Sequence, residues 1–298
     1  MIPVYVIGSS NTDMVVKAER LPQPGETIIG GKFFLNAGGK GANQAVAAAR
    51  LGGDVTFVGN VGNDLFGKKT IDQLKKENIN TNFIRIDSDE PSGVALINVD
   101  SNGENSIVVA PGANGKLTPD LLGDFFLQAK SPALALMQLE IPFDTVAFVT
   151  KECANKNIPL ILNPAPATKL DDTILSRVHF ITPNETEASL LCGFKVQDED
   201  SIRKAAFHFH NKGIKNVIIT LGERGAFWSD GKNNGFESVP KVKAVDTTAA
   251  GDCFNGALAV ALAERKSISD AVAFACKAAS MSVTKLGAQS SMPNRLEL

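Results

Sequence analysis

Apolar positions along this chain fall into two rhythms. Val4–Ile7, Val55–Gly59, Ala133–Leu139, Pro159–Leu162, Val178–Ile181 and Val217–Leu221 are short apolar runs, the pattern of strands buried on both faces. Between them lie stretches of helical period: Gln44–Leu51, Asp64–Lys76, Asp144–Ala154, Glu185–Leu191, Ser201–Asn211, Asp252–Glu264, and Ile268 to about Thr284. In Ser201–Asn211, for example, Ile202, Ala205, Ala206 and Phe209 recur on one helical face. Strands alternating with helices predict an α/β fold, doubly wound, with a mostly parallel central sheet covered on both faces. Three segments break the alternation. Thr27–Leu35, Val94–Val99 and Ser106–Val109 read as a small antiparallel patch apart from the main sheet, the last two joined through the hairpin signal Asn102-Gly103. Ala226–Ser229 reads as a hairpin partner of the strand before it.

Composition narrows the function. The 298 residues are 44% hydrophobic, enough for a substantial core. Thirty Lys and Arg against 32 Asp and Glu leave no basic footprint for nucleic acid. The longest apolar runs, such as Ala133–Met137 and Ala257–Ala263, fall far short of a membrane span. Met1–Gly8 lacks the positive start of a signal peptide. Cys153, Cys192, Cys253 and Cys276 are widely spaced, as expected of reduced thiols in a cytoplasmic protein. With three histidines, two of them at His208 and His210, no zinc site or Ser–His triad is expected.

The most informative stretch is Asp246-Thr247-Thr248-Ala249-Ala250-Gly251-Asp252. It reads as a tight turn opening an apolar helix, with Thr247 or Thr248 as cap. Ala249, Ala250 and Gly251 leave backbone amides with no side chain in front of them, and a helix start with bare amides is an anion site. An acid such as Asp252 at a helix start is ordinarily explained by the helix dipole. Beside an anion site it also suggests a base that takes a proton while a phosphate is transferred. Polar residues following the other strands gather at the same end of the sheet: Asn11, Asp13, Glu140, Asn163, Asn184 and Glu187. Carboxylates and amides together suit a polyhydroxyl ligand. Asn11 and Asp13 fit an Asx turn equally well. Asn36–Asn43 reads as a glycine-rich loop. It is no Walker A loop, since no Ser or Thr follows Lys40, and the first strand lacks the Gly-x-Gly-x-x-Gly of a dinucleotide site.

Two stretches, Gly38-Gly39-Lys40-Gly41-Ala42-Asn43 and Asp246–Asp252, are supported by Thr182-Pro183-Asn184-Glu185-Thr186-Glu187 and Thr220-Leu221-Gly222-Glu223-Arg224-Gly225. Through them the chain resembles the PfkB-type, ribokinase-like family of carbohydrate kinases from Gly8 to Pro293. The resemblance implies phosphoryl transfer from ATP to the 5-hydroxyl of D-ribose, on one domain of residues 1–298. It implies a discontinuous β lid over about 12–37 and 92–110 that also forms a homodimer. By that resemblance Asn11, Asp13, Gly39, Lys40, Gly41, Asn43 and Glu140 bind the sugar, and Asp252 is the base. The amides of Ala249 to Asp252 hold the transferring phosphate. Asn184, the Thr220–Gly225 turn (Thr220, Leu221, Gly222, Glu223, Arg224, Gly225), Gly251 and Cys276 form the ATP site. Glu187 serves Mg²⁺ through water. Asp246, Thr248, Ser282, Lys285, Gly287 and Ser291 hold K⁺, largely through backbone carbonyls. The alternatives are a related kinase for 2-deoxyribose, another sugar or a nucleoside. A non-catalytic sugar binder is disfavoured by Asp252, Lys40 and the bare amides.

Overall fold

The computed structural model describes residues 1–298. In chain order the elements are β1 (Val4–Ile7), β2 (Asn11–Lys17), β3 (Lys32–Gly38), α1 (Lys40–Arg50), β4 (Val55–Gly62), α2 (Leu65–Lys76) and β5 (Asn80–Asp87). Next come β6 (Gly93–Val99), β7 (Asn105–Ala110), α3 (Gly123–Gln128), β8 (Leu134–Met137), α4 (Phe143–Asn155), β9 (Leu160–Leu162) and α5 (Asp172–Leu175). The chain ends with β10 (Phe180–Ile181), α6 (Glu185–Cys192), α7 (Glu199–Asn211), β11 (Asn216–Thr220), β12 (Ala226–Ser229), β13 (Asn234–Glu237), α8 (Ala250–Ala263) and α9 (Ile268–Ser282).

The six apolar runs become strands of one nine-stranded sheet, ordered β13-β12-β11-β10-β9-β8-β1-β4-β5. Strands β11 through β5 in that order run parallel, and β12 and β13 close one edge antiparallel. Alternation within each strand feeds two cores. Tyr5, Ile7 and Met137 pack with α3, α4 and α7 on one face. Val4, Val6 and Leu136 pack with α1, α8 and α9 on the other. A fully buried side chain such as Phe57 contributes about 1.5–3 kcal/mol relative to exposure.

A second sheet has four strands in the order β3-β2-β6-β7. It is mixed: β2 pairs antiparallel with β3 but parallel with β6. The first strand of this patch lies at Lys32–Gly38, later than the Thr27–Leu35 expected, and Asn11–Lys17 is a strand, not an Asx turn. Helix α1 starts at Lys40 and not Gln44, so half of the expected glycine-rich loop is a helical turn. Strands β5 and β13 leave no clear pattern in the sequence, because their polar residues hide the period.

Candidate active site

The chain enters the sheet at β1, builds β4 and β5 to one side, and returns to add β8 to β11 on the other. Strand order therefore reverses between β1 and β8, and the crevice at their carboxyl ends is where a doubly wound sheet binds ligands. Gly8–Asn11 and Gln138–Glu140 emerge there. Helices α1 and α8 bring their N-termini to the same place. They approach closely because Gly256 has no side chain: a Cβ there would lie 2.6 Å from the Gln44 carbonyl and 2.7 Å from Ala47.

The first turn of α1 rests directly on the segment after β1. Gly39 has φ +86°, and a Cβ on it would lie 2.6 Å from the Asn11 amide nitrogen. A Cβ on Gly41 would lie 2.7 Å from that of Ser9. No larger residue permits both contacts. The Lys40 amide at this helix start donates to Glu140 Oε2 at 3.0 Å, and the same oxygen accepts the Ser9 hydroxyl at 2.5 Å. Asn11 and Asp13 sit two apart on β2 and face one side of the small sheet. Asn114, almost fully buried, donates to Asn11 Oδ1 at 2.8 Å and pairs with both backbone groups of Ser10. Asn11 consequently offers its Nδ2 donor to the cleft.

Asp252, 6% exposed, lies in the first turn of α8. Its Oδ2 accepts Asn43 Nδ2 at 2.9 Å, and its Oδ1 accepts Gln44 Nε2 at 2.9 Å. Asn43 lines the cleft, and its Oδ1 is buried without a hydrogen-bond partner. The cap of α8 is Ala249, not Thr247 or Thr248, and no side chain caps the helix. Ala249 sits in the left-handed region at φ 58°, which costs a non-glycine residue about 1–2 kcal/mol. That bend aims the amides of Gly251 and Asp252 outward, with no intramolecular acceptor. The Ala250 amide differs from expectation, donating back to Thr247 O at 3.2 Å. Asn255 ties the turn down: its Nδ2 donates to Gly251 O at 2.8 Å, and its Oδ1 accepts the Thr182 hydroxyl at 2.6 Å.

Asn184 caps α6 in a capping box. Its Oδ1 accepts the Glu187 amide at 2.8 Å, and Glu187 Oε2 accepts the Asn184 amide at 2.9 Å. One Glu187 oxygen stays uncommitted, so water-mediated cation binding fits. Across the chain terminus, Asp246 joins two loops, accepting the Thr248 amide at 2.9 Å and the Gly287 amide at 2.8 Å. Burial works against its charge, but those hydrogen bonds outweigh it and hold its pKa below the usual range.

The groups converge on a cleft of about 320 Å³. The main sheet supplies its floor, and Ala95, Ile97, Ile107 and Val109 of the small sheet roof it. Its electrostatics are dominated by acids. Burial, then the charges of Glu140 and Asp252, raise Asp13 to about 6 against the pull of Lys40. Burial raises Asp252 against Lys40 and its two amide donors. Burial likewise raises Glu187. Burial opposes the Lys40 charge, yet Asp252, Glu140, Glu187 and Asp13 around it outweigh that and raise its pKa.

The model of the pfkB family carbohydrate kinases matches residues 1–295. The chain belongs to that family. It is 46% identical over 293 residues to the ribokinase of Haemophilus influenzae, covering 98% of this chain and 95% of that one. It is 43% identical over 295 residues to the ribokinase of Bacillus subtilis, covering 99% and 97%. Arabidopsis thaliana ribokinase, solved in complex with ribose and ATP, superposes with a TM-score of 0.93 at 37% identity, covering 99% of this chain and 96% of that one.

Of the residues singled out from sequence, Asn11, Asp13, Gly39, Lys40, Asn43, Glu140, Asn184, Glu187, Thr220 and Thr248 to Asp252 line this one cleft. Others do not. Gly41 is buried against Gly8 and Ser9. Leu221 is core, and Arg224 leaves its turn to pair with Glu185 at 2.6 Å. Gly222 and Gly225, at φ 60° and 91°, shape that turn, while Glu223 is exposed. Cys276 lies away from the cleft: it is 2% exposed and packs under β13, its thiol directed at Glu237 O and pushed up to about 12 by burial. Ser282 and Ser291 donate to Ala279 O and Ala288 O, and Lys285 pairs with Glu297 at 2.6 Å. Gln44, Asn114, Gln138 and Asn255, all buried amides, join the site without belonging to any of the motifs in the sequence. The one available signal was position, since Gln138 directly follows a strand and Gln44 directly follows Asn43.

Proposed function

We propose that this chain transfers the γ-phosphate of ATP to the 5-hydroxyl of D-ribose, giving D-ribose 5-phosphate and ADP. The observation that carries the reading is the pairing of a buried carboxylate, Asp252, with unpartnered amides of its own turn, Gly251 and Asp252. Asp252 takes the proton as the sugar oxygen attacks the γ-phosphorus. The bond to the bridging oxygen breaks and ADP leaves. The amides meet charge developing on the transferred phosphoryl group. Asp13 and Glu140 accept sugar hydroxyls, and Asn43 Oδ1 takes another. Asn11 donates through Nδ2 to a hydroxyl oxygen, which suits the 2-hydroxyl. The similarity to ribokinases at 43–46% identity supports ribose as substrate. A coupled ADP-release assay over a sugar panel tests it. Ribose is expected to give the highest kcat/KM; a higher value for 2-deoxyribose, fructose or adenosine would overturn the assignment.

Four carboxylates against one ammonium leave the cleft negatively charged, and a polyphosphate enters such a site with cations. Glu187 is the residue that would hold Mg²⁺ through water, and Mg²⁺ would neutralise phosphate charge. The loop around Asp246 fits a monovalent ion. It offers one carboxylate, Asp246, tied to the amides of Thr248 and Gly287, so that the backbone of both loops is drawn to one point. Asp246, Thr248, Ser282, Lys285, Gly287 and Ser291 would surround K⁺, those other than Asp246 chiefly through carbonyls, and the ion would brace the turn that carries the amides. Exchanging Na⁺ for K⁺ at fixed ionic strength should raise kcat; equal rates in both salts would remove K⁺ from the account.

The small sheet is read as a lid that excludes water, and as the face of a homodimer. Its roof residues meet the cleft, and its outer side is also apolar: Phe33, Leu35, Leu96 and Val108 are 60, 47, 50 and 68% exposed. A patch of this kind on a sheet face is characteristic of an interface. Leu35→Asp should give a monomer by sedimentation velocity where the parent chain is a dimer. A parent chain that sediments as a monomer at micromolar concentration would reject the dimer. No helix is long and apolar enough to cross a membrane. Four free thiols fit a reducing, cytoplasmic setting.

A further inference from the structure

We propose that Gln44 and Gln138 form a buried amide relay that positions the Asp252 carboxylate, holding Oδ1 on the interior side so that Oδ2 faces the acceptor hydroxyl. The inference rests on the reading of Asp252 as the base. Both glutamines are 0% exposed, and neither lines the cleft. Gln44 Nε2 donates to Asp252 Oδ1 at 2.9 Å and to Asn163 Oδ1 at 3.0 Å. Gln44 Oε1 accepts Gln138 Nε2 at 2.6 Å. Both protons of the Gln44 amide are therefore committed, and its oxygen is held from behind.

The direction of the relay matters more than its existence. An amide presents a donor end and an acceptor end of nearly equal shape, and its neighbours decide which faces where. With Gln138 donating into Gln44 Oε1, only the Nε2 end of Gln44 is left for the carboxylate. Reversal would set a carbonyl against Asp252. Gln138 is held in turn by the strand end at Met137 and by Gly8, where any Cβ would collide with Gln138 Oε1. That oxygen has no hydrogen-bond partner. A buried acceptor left unsatisfied is destabilising, so the core is not served by a glutamine here. Its donor end is what the site uses.

The two oxygens of Asp252 are divided between environments. Oδ2 meets Asn43, a cleft residue, whereas Oδ1 meets the buried Gln44. Two donors from successive residues of α1 stop the carboxylate from rotating. The charged groups around it are Lys40 on α1, Asp13 on β2, Glu140 after β8 and Glu187 on α6. Burial and the three acids disfavour the ionised form, while Lys40 and the two amide donors favour it.

Gln44→Met keeps the volume and removes the donor. It is expected to lower kcat by about 10- to 100-fold, the loss of one hydrogen bond to a charged group, with sugar KM changed less than about threefold. The acid limb of the kcat/KM profile should move to higher pH. Gln138→Met should do the same to a smaller degree, because Gln44 stays in place but loses its fixed direction. The titration of the Asp252 carboxyl carbon by NMR reads the same shift without turnover. An unchanged Asp252 titration in Gln44→Met, or a kcat loss accompanied only by a lower Tm, would overturn the relay. A parent chain that phosphorylates no sugar while its Asp252 titration still responds to Gln44→Met would instead sink the kinase reading and leave the relay standing.

Discussion

Asp252→Asn should lower turnover about a thousandfold while leaving sugar affinity within a few-fold. A positioned general base contributes about 10²–10⁴ to rate. The substitution conserves shape, so it isolates that contribution. Both oxygens of Asp252 accept an N–H, from Asn43 and Gln44. An asparagine has one oxygen to offer, and its amino group must face a donor. Gln44 cannot adapt, since Gln138 and Asn163 fix it. Asn43 can, because its Oδ1 is unpartnered and a flip would turn that oxygen toward the new amide. The sugar then meets Asn43 Nδ2 in place of Oδ1, which accounts for a modest loss of affinity. Removing a buried charge also relieves desolvation, so thermal stability should hold or rise. Single-turnover phosphoryl transfer and calorimetric sugar binding measure the two effects separately. Turnover within tenfold of the parent would exclude Asp252 as the base.

The sequence was most legible where physics leaves few options. Apolar runs announce strands buried on both faces, whereas the close backbone crossing at Gly39 and Gly41, which read as part of a loop, shows only in the structure. It was least legible where function overrides local pattern. Asn11-Thr12-Asp13 opens a strand but reads as a turn, because the residues that should be apolar on its inner face are the polar ones the cleft requires. Asn114, Gln44, Gln138 and Asn255 are hard to see for a different reason. A buried amide carries no mark of composition distinguishing it from a solvated one, and its role depends on side-chain partners as far as 208 residues away along the chain. Asp246 shows a third limit. Its carboxylate joins amides of two loops, and backbone partners leave no side-chain trace.

Asp13→Asn should stabilise the protein at neutral pH and weaken the sugar site about a hundredfold in kcat/KM. Asp13 titrates at about 6, raised first by burial and then by Glu140 and Asp252, with Lys40 only partly compensating. The folded value lies above the unfolded value near 3.8, so the native state binds this proton more tightly than the unfolded chain. Between about pH 4 and 6 its contribution to stability therefore falls as pH rises, and above 6 the cost is constant. The size of the shift corresponds to about 3 kcal/mol at pH 7. A neutral amide escapes this, so Tm should rise by several degrees at pH 7 and hardly at all near pH 4. The same charge is what the sugar uses, as an acceptor for hydroxyls, and sugar affinity of the parent should weaken as pH falls through 6. Gly38 fits this account, since a Cβ there would collide with the Asp13 carboxylate. The chain leaves room for an acid that makes the fold less stable. Thermal denaturation at the two pH values, alongside sugar kinetics, decides the matter. A Tm that falls at pH 7 would make Asp13 a structural residue, and an unchanged KM would remove it from the sugar site.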